Sequence, residues 1–233
     1  MPCWPPLCRL GGGSIEVLEI PSDEELAAEC ASRTGTVYVR NTQRSYKIDT
    51  QQLEQHIRAA RDLLGYSNWD VSLWLTTDKT VRKLNSQYRG KDKSTDILSF
   101  SYNELQCSYR LLHGGSHSTK LQVETPGKLA KVRHPEEMDL GEMMVSLAYV
   151  DRVIQQDKAE QDGQSQEEEH DRGVSGAMSR VFTVQERLPL LCIHGLLHLV
   201  GYDHETDEDY EVMVAREEEL LRALKLEPSA SAS

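Results

Sequence analysis

The stretch HGLLHLVGYDH, at residues 194–204, says most about how this chain folds and what it binds. His194 and His198 are four residues apart, so on a helix their imidazoles lie one above the other and can converge on one cation. Gly201 is typical of a helix C-terminus with positive φ, and the turn there lets His204 supply a third nitrogen. Three His ligands leave one open position on a tetrahedral zinc ion, as in catalytic sites. The spacing therefore predicts a catalytic centre that holds one zinc ion per chain.

The same histidine spacing occurs in the metzincin zinc peptidases, where Glu follows the first His. That Glu is the general base that takes a proton from water during peptide hydrolysis. In this chain the position is Gly195, which carries no group able to do so. A zinc peptidase is therefore the less favoured alternative, since it would have its ligands without its base.

Three blocks of sequence resemble the YbeY family of zinc-dependent endoribonucleases and ribosomal RNA maturation factors. They are the histidine motif itself, YRGKDKSTDILSF at residues 88–100, and LGE at residues 140–142. The resemblance runs in order from about residue 37 to 226, apart from insertions. Ser94 and Ser101 stand where proline is usual in the family, and Glu142 stands where Asp is usual. The longer Glu142 side chain keeps the carboxylate but places it one methylene farther out.

The resemblance implies a single-strand-specific endoribonuclease that acts in ribosomal RNA maturation and ribosome quality control. It also implies that Arg89, which follows the aromatic residue of the second block, is catalytically important. A guanidinium is planar and permanently charged, so Arg89 could bind one nonbridging phosphate oxygen while zinc binds another. Asp203 is a candidate base, or a hydrogen-bond partner that orients a ligand histidine.

The net charge of −12 at first argues against a nucleic-acid enzyme, but its distribution does not. Residues 81–93 carry five cations against one anion, a local balance of +4 that coincides with the block around Arg89. Lys91 and Lys93 are therefore candidate RNA-binding residues. Residues 157–171 and 203–227 have balances of −6 and −7, and these acidic runs are expected to be solvated surfaces.

The predicted partners are RNA, in the form of a ribosomal RNA precursor, and proteins of the small ribosomal subunit, both implied by the resemblance. A non-catalytic ribosome-assembly factor that keeps zinc for stability is the main alternative function. The longest apolar stretch, residues 188–202, is interrupted by His194, Gly195 and His198 and is too short to span a bilayer of ~30 Å. Five cysteines without a C-x-x-C pair indicate an intracellular protein, in the cytoplasm or in a mitochondrion or plastid.

The pattern of apolar residues predicts an α/β (α+β) fold with a small mixed sheet, about five helices, and the metal site on a helix and the turn after it. Residues 1–36 are expected to form a poorly ordered extension, 37–226 a single domain with insertions at 103–138 and 158–180, and 227–233 a tail. Strands are predicted at 37–41, 69–76, 96–102 and 141–146. Helices are predicted after Asp49 and at 78–88, 147–156, 184–199 and 207–224. The last helix has an apolar stripe that is interrupted by Glu217.

Overall fold

The computed structural model describes residues 22–102, 125–129, 132, 134–161 and 177–227. This part of the chain contains four strands and six α-helices, which confirms the predicted α/β class. The strands are β1 (Val37–Asn41), β2 (Asp70–Thr76), β3 (Ile97–Ser101) and β4 (Asp139–Ser146). The helices are α1 (Asp23–Ser32), α2 (Thr50–Leu63), α3 (Asp78–Arg89), α4 (Leu147–Gln161), α5 (Val184–Leu199) and α6 (Asp207–Leu224).

The four strands form one mixed sheet in the order β1-β2-β4-β3. β1 and β4 both pair with β2 in parallel, and β3 pairs with β4 antiparallel. β3 is therefore an edge strand. The carbonyl of Asp96 accepts a hydrogen bond from the backbone N–H of Ser146 in β4. Backbone groups alternate in direction along a strand, so those of Ser99, three residues later, point away from β4.

The two faces of the sheet are covered unequally. Val71, Leu73, Met143 and Val145 point into the main core, which also holds the buried residues of α2, α4, α5 and α6. The opposite face has a smaller cluster, in which α3 places Val81 against Leu98, Phe100 and Met144. The ligand-bearing helix α5 and the Arg89-bearing helix α3 thus lie on opposite faces of one sheet.

Helix α5 lies so close to the sheet that one of its positions has no room for a side chain. A Cβ atom at Gly195 would lie 2.5 Å from Cδ1 of Ile97, 2.9 Å from Sδ of Met143 and 3.0 Å from Oγ of Ser99. Twelve of the sixteen residues of α5 are buried, as expected for a helix enclosed on most sides. The glycine therefore lets α5 approach the sheet this closely without displacing the side chains of Ile97 and Met143.

The N-terminal segment differs from expectation, because residues 23–32 form α1 within the predicted poorly ordered extension. Ser22 and Glu25 make a capping box, and three acidic residues in the first turn complement the helix dipole. Arg33, just after α1, donates to the backbone carbonyls of Asn68 and Met138 at 2.9 and 3.1 Å and pairs with Asp70. Residues 1–21 lie outside the described part.

The segment predicted as an insertion, 158–180, is ordered at both of its ends. α4 continues to Gln161, and Ala177 and Met178 are buried in the main core, Met178 completely. Asp157, counted in a solvated acidic run, is buried and forms an ion pair with Arg187 of α5. Residues 162–176 of this insertion and 103–124 of the other lie outside the described residues, as do 228–233 of the tail.

In the part of the chain that the structure describes, we find no helix with both the length and the apolar character needed to cross a lipid bilayer.

Candidate metal centre

The metal-binding motif occupies the C-terminal end of α5 and the turn that follows. α5 begins at a Thr183 cap and ends before Gly201, whose φ of +91° confirms the predicted left-handed turn. The backbone N–H groups of Gly201 and Tyr202 donate to His198 and Leu197 at 3.0 and 3.1 Å, which folds the chain back over the helix end. This turn returns His204 to the side of α5 that carries the other two histidines.

His194, His198 and His204 form a cluster whose candidate ligand atoms all lie within 4.8 Å of one another. Nε2 of His194 and Nε2 of His198 are 3.1 Å apart. The ring of His204 lies 5.5 Å from that of His194 and 4.9 Å from that of His198, measured between centroids. His194 is 6% exposed, whereas the other two are half-buried, so the cluster has one open side.

The donor set fits a zinc ion. Two nitrogens that each lie about 2.0–2.1 Å from a tetrahedral zinc ion are about 3.3–3.4 Å apart, close to the 3.1 Å between His194 and His198. Imidazole nitrogens also suit other divalent transition metals, so the three ligands indicate this class of ion without selecting zinc within it.

The protonation of His198 is set by its surroundings. Its Nδ1 lies 3.0 Å from the backbone carbonyl of Tyr202, so this nitrogen carries the proton and donates it, and Nε2 keeps its lone pair. Burial, together with the neighbouring His194 and His204, lowers the pKa of His198 to about 3. The imidazole is therefore neutral at pH 7, as a metal ligand must be.

Asp203 makes a backbone contact within the ligand turn. Its Oδ1 accepts the backbone N–H of His204 at 2.8 Å, a bond that shapes the turn leading into the third histidine. The hydrogen bond that orients His198 comes from the carbonyl of Tyr202, as described above. The side chain of Asp203 is exposed, and its suggested roles, as a base or as a partner that orients a ligand histidine, both stay predictions.

A short turn at residues 125–129, inside the predicted insertion, supports the ligand turn from outside. The N–H of Gly127 donates to the carbonyl of Val200 at 3.0 Å. A Cβ at Gly127 would lie 2.9 Å from the hydroxyl of Tyr202, and φ of Gly127 is +77°. Tyr66 completes the contact by donating its hydroxyl to the carbonyl of Gly127 at 2.9 Å. Sequence reasoning missed this support, although the Pro126-Gly127 pair signals a turn.

Arg89 lies at the last position of α3 and is held against the edge strand. Its Nη2 donates to the backbone carbonyl of Ser99 at 3.1 Å, and its guanidinium lies 5.5 Å from the centroid of the Phe100 ring. Gly90, with φ of +68°, ends the helix directly after it, as predicted. Ser99 is also one of the residues that touch the Gly195 position, so a single strand separates Arg89 from the ligand helix.

The basic segment after α3 turns back along that helix. Lys91 and Lys93 are exposed, and the carbonyl of Lys93 accepts a hydrogen bond from Asn85 at 2.7 Å. Lys93 lines a cleft of about 500 Å³ with Asp78, Lys79, Arg82, Asp92 and Ser94. Arg82 is paired with Asp92 through two contacts of 2.8 Å, so the local positive charge is smaller than the sequence count. The structure thus places the predicted phosphate-binding lysines beside α3 and not in the histidine cluster.

The family model for the endoribonuclease YbeY matches residues 38–225 of this chain. The chain belongs to the YbeY family. The endoribonuclease YbeY of Pelotomaculum thermopropionicum is 31% identical over 194 residues, 82% of this chain and 97% of that protein. That of Symbiobacterium thermophilum is 32% identical over 197 residues, again 82% and 97%. A solution structure from Thermotoga maritima aligns with 85% of this chain and 97% of its own at 19% identity, with a TM-score of 0.39, and adds nothing to this assignment.

One departure from the YbeY pattern now has a structural meaning. Glu142 lies in β4 between Gly141 and Met143, and Met143 faces α5. Because side chains alternate along a strand, Glu142 points to the other face of the sheet, beside its cross-strand neighbours Ser72 and Phe100. Burial raises the pKa of Glu142, partly offset by Arg40. Its extra methylene therefore does not affect the geometry of the histidine cluster directly.

Proposed function

We propose that this protein is a zinc-dependent endoribonuclease that cleaves single-stranded RNA, with His194, His198 and His204 as the metal ligands and Arg89 as the catalytic cation. The observation that carries the proposal is the convergence of the three imidazoles within 4.8 Å at an open helix end, in a chain of the YbeY family. Three nitrogen ligands that leave a position open are typical of catalytic zinc and not of structural zinc.

When bound, zinc supplies a Lewis acid for the phosphodiester and lowers the pKa of water toward about 7. The protein supplies the imidazole ligands, and His198 is fixed in the required tautomer by Tyr202. Arg89 stabilises negative charge on a nonbridging phosphate oxygen. Its bond to Ser99 uses one of the five guanidinium N–H donors, so the group is oriented while other donors remain for phosphate.

The relative positions of Arg89 and the histidines favour a single-stranded substrate. Arg89 reaches the outer edge of β3 from the α3 face, whereas the histidines lie at the end of α5 on the other face. A substrate that contacts both must follow this edge, where no other described strand pairs with β3. A flexible single strand can bend around an edge more easily than an A-form duplex. Lys91 and Lys93 lie along α3 and extend this path as phosphate contacts.

Two other functions predict different results. A zinc peptidase is disfavoured because Gly195, at the position of the peptidase glutamate, carries no group that could act as the general base. A non-catalytic ribosome-assembly factor would bind ribosomal RNA without cutting it.

We infer that the cellular substrate is a ribosomal RNA precursor and that small-subunit proteins present it. The protein would then act in ribosomal RNA maturation and ribosome quality control, inside the cell or an organelle.

The test compares cleavage of single-stranded RNA and of a duplex of the same sequence under single-turnover conditions. We expect cleavage of the single strand that a chelator abolishes and zinc restores, with no cleavage of casein. His198→Ala should abolish both stoichiometric zinc and cleavage. A ribosomal precursor fragment should be cut at fewer positions than an unrelated single strand. Tight RNA binding without chelator-sensitive RNA cleavage would favour the assembly factor, and cleavage of casein would favour the peptidase.

The role of Arg89 has its own measurement. Arg89→Ala should keep its zinc and fold but lose at least about tenfold in the rate of cleavage, or roughly 1.4 kcal/mol of transition-state stabilisation. Arg89→Lys should recover only part of the rate, since lysine keeps the charge without the planar donor pair. Arg58→Ala, in the half-exposed Arg58–Glu54 pair on α2, is the matched control and should cleave normally. Unchanged cleavage by Arg89→Ala would remove this residue from the catalytic machinery.

A further inference from the structure

Glu217 is a buried carboxylate in a helix that contributes none of the metal ligands. It interrupts the apolar stripe of α6, where Met213, Leu220 and Leu221 are also buried, and it is 1% exposed. Its Oε1 has no hydrogen-bond partner among the described residues. An unpartnered oxygen of a buried carboxylate costs on the order of several kcal/mol, so its presence here calls for a compensating group.

The compensating group is a histidine of the metal centre. Nδ1 of His194 is 3.9 Å from Oε1 of Glu217, and it too is buried without a hydrogen-bond partner in the described part of the chain. The two unpartnered atoms therefore face each other across the α5–α6 contact. Shortening this distance by about 1 Å through side-chain rotation would give an ordinary charge-assisted hydrogen bond.

We propose that Glu217 is a positioning residue of the metal centre. It accepts a hydrogen bond from the Nδ1–H of His194 and so fixes Nε2 of that imidazole toward the metal. The proposal rests on the metal centre proposed above. A carboxylate behind the ring also makes the imidazole a stronger donor and compensates the positive charge that a metal ion transfers to it. The burial of Glu217 is explained at the same time, since the bound cation and its ligand provide the missing partner.

The proposed arrangement gives the ligands different supports. His198 donates its Nδ1 proton to a neutral backbone carbonyl, that of Tyr202, at 3.0 Å. His194 would donate to an anion. The carboxylate is held in place because α6 packs on both α5 and α2, where Arg216 donates to the carbonyl of Leu63 at 3.3 Å. His194 is accordingly the ligand whose affinity for the metal depends on a charged group.

The test measures zinc affinity by competition with a chromogenic chelator, together with urea unfolding of the metal-free protein. Glu217→Leu should bind zinc about 10–100-fold more weakly than wild type. Glu217→Gln, which keeps an acceptor oxygen without the charge, should fall between them. Metal-free Glu217→Leu should be at least as stable as wild type, because it no longer buries a carboxylate oxygen without a hydrogen-bond partner. Glu218→Gln, at the exposed neighbouring position, is the control and should match wild type in both measurements.

Each outcome decides one point. Equal zinc affinity in Glu217→Leu and wild type would overturn the proposal, and so would a loss of affinity matched by an equal loss of metal-free stability, which marks a purely structural residue. If wild type itself bound no zinc, the metal centre would fail first, and with it this role. A slowly exchanging Nδ1 proton of His194 in the NMR spectrum of the zinc form, absent in Glu217→Leu, is the positive signature.

Discussion

Replacing Gly127 by alanine should disturb the metal centre from a segment that contributes no ligand. Two separate effects add. Gly127 has φ of +77°, and an L-residue in this region costs roughly 1–2 kcal/mol. The new Cβ would also lie 2.9 Å from the Tyr202 hydroxyl, and relieving such overpacking costs about 1–3 kcal/mol. We therefore expect a loss of about 2–5 kcal/mol in the free energy of unfolding.

The chain offers a matched control at Gly65, which has φ of +87° but nothing within 4 Å of the added Cβ. Gly65→Ala should lose only the backbone part, about 1–2 kcal/mol. The difference between the two variants isolates the contact with Tyr202. Because the carbonyl of Tyr202 orients His198, Gly127→Ala should also weaken zinc binding by about tenfold, while Gly65→Ala should not.

Urea unfolding of both metal-free variants and chelator competition for zinc measure these quantities. If the two glycine variants were equally destabilised and bound zinc equally well, the turn at residues 125–129 would have no part in shaping the site. Such a result would limit the support of His198 to α5 and its own turn.

Three further predictions concern the fold around the site. In urea unfolding, Asp157→Ala and Arg187→Ala should each lower the free energy of unfolding by about 3–5 kcal/mol, because each leaves a buried charge unpaired. The double variant Asp157→Leu/Arg187→Met, which removes both charges, should lose much less. Burial alone raises the pKa of Asp78, but hydrogen bonds from Arg152, Ser146 and Ser94 outweigh it and lower the pKa. This stabilisation is present above the ordinary pKa and is lost as the pH falls through the lowered one, so thermal melts of wild type and Asp78→Asn should converge below about pH 4. Replacing residues 162–176 by a short Gly-Ser linker should leave the melting temperature unchanged, because Val174 is the one apolar residue in this segment, and a large drop would contradict this. The same change should tighten RNA binding at low salt, because it changes the net charge from −12 to −8.

The elements with a strong pattern were predicted well. β1 has the predicted bounds, and α5 and α6 match their approximate predicted bounds, because apolar periodicity in both helices begins directly after a threonine cap. The convergence of three histidines followed from the same local rules, since i, i+4 spacing and a left-handed glycine act within eleven residues. α1 was missed because none of its residues is buried, so it has no apolar face to detect.

The remaining features depend on residues far apart in the sequence. Counting charges cannot show that Asp157 meets Arg187 thirty residues later, or that Glu217 faces His194 across two helices. The acidic runs were expected to be solvated, and both contain a buried carboxylate. The support of the ligand turn by Gly127 likewise requires the folded chain, because the partners of Gly127, Val200 and Tyr66, are far from it in the sequence.

The contact at Gly195 bears on how such a site could change its chemistry during evolution. One nucleotide separates a glycine codon from a glutamate codon, so the base of a peptidase is a short mutational step from this motif. In this fold the new side chain would be driven into Ile97 and Met143 before it could approach the metal. Divergence toward peptide hydrolysis would therefore require these side chains of the sheet to give way as well as the new base to appear. The depth at which a helix is packed can thus keep one metal motif in one reaction class for as long as its core persists.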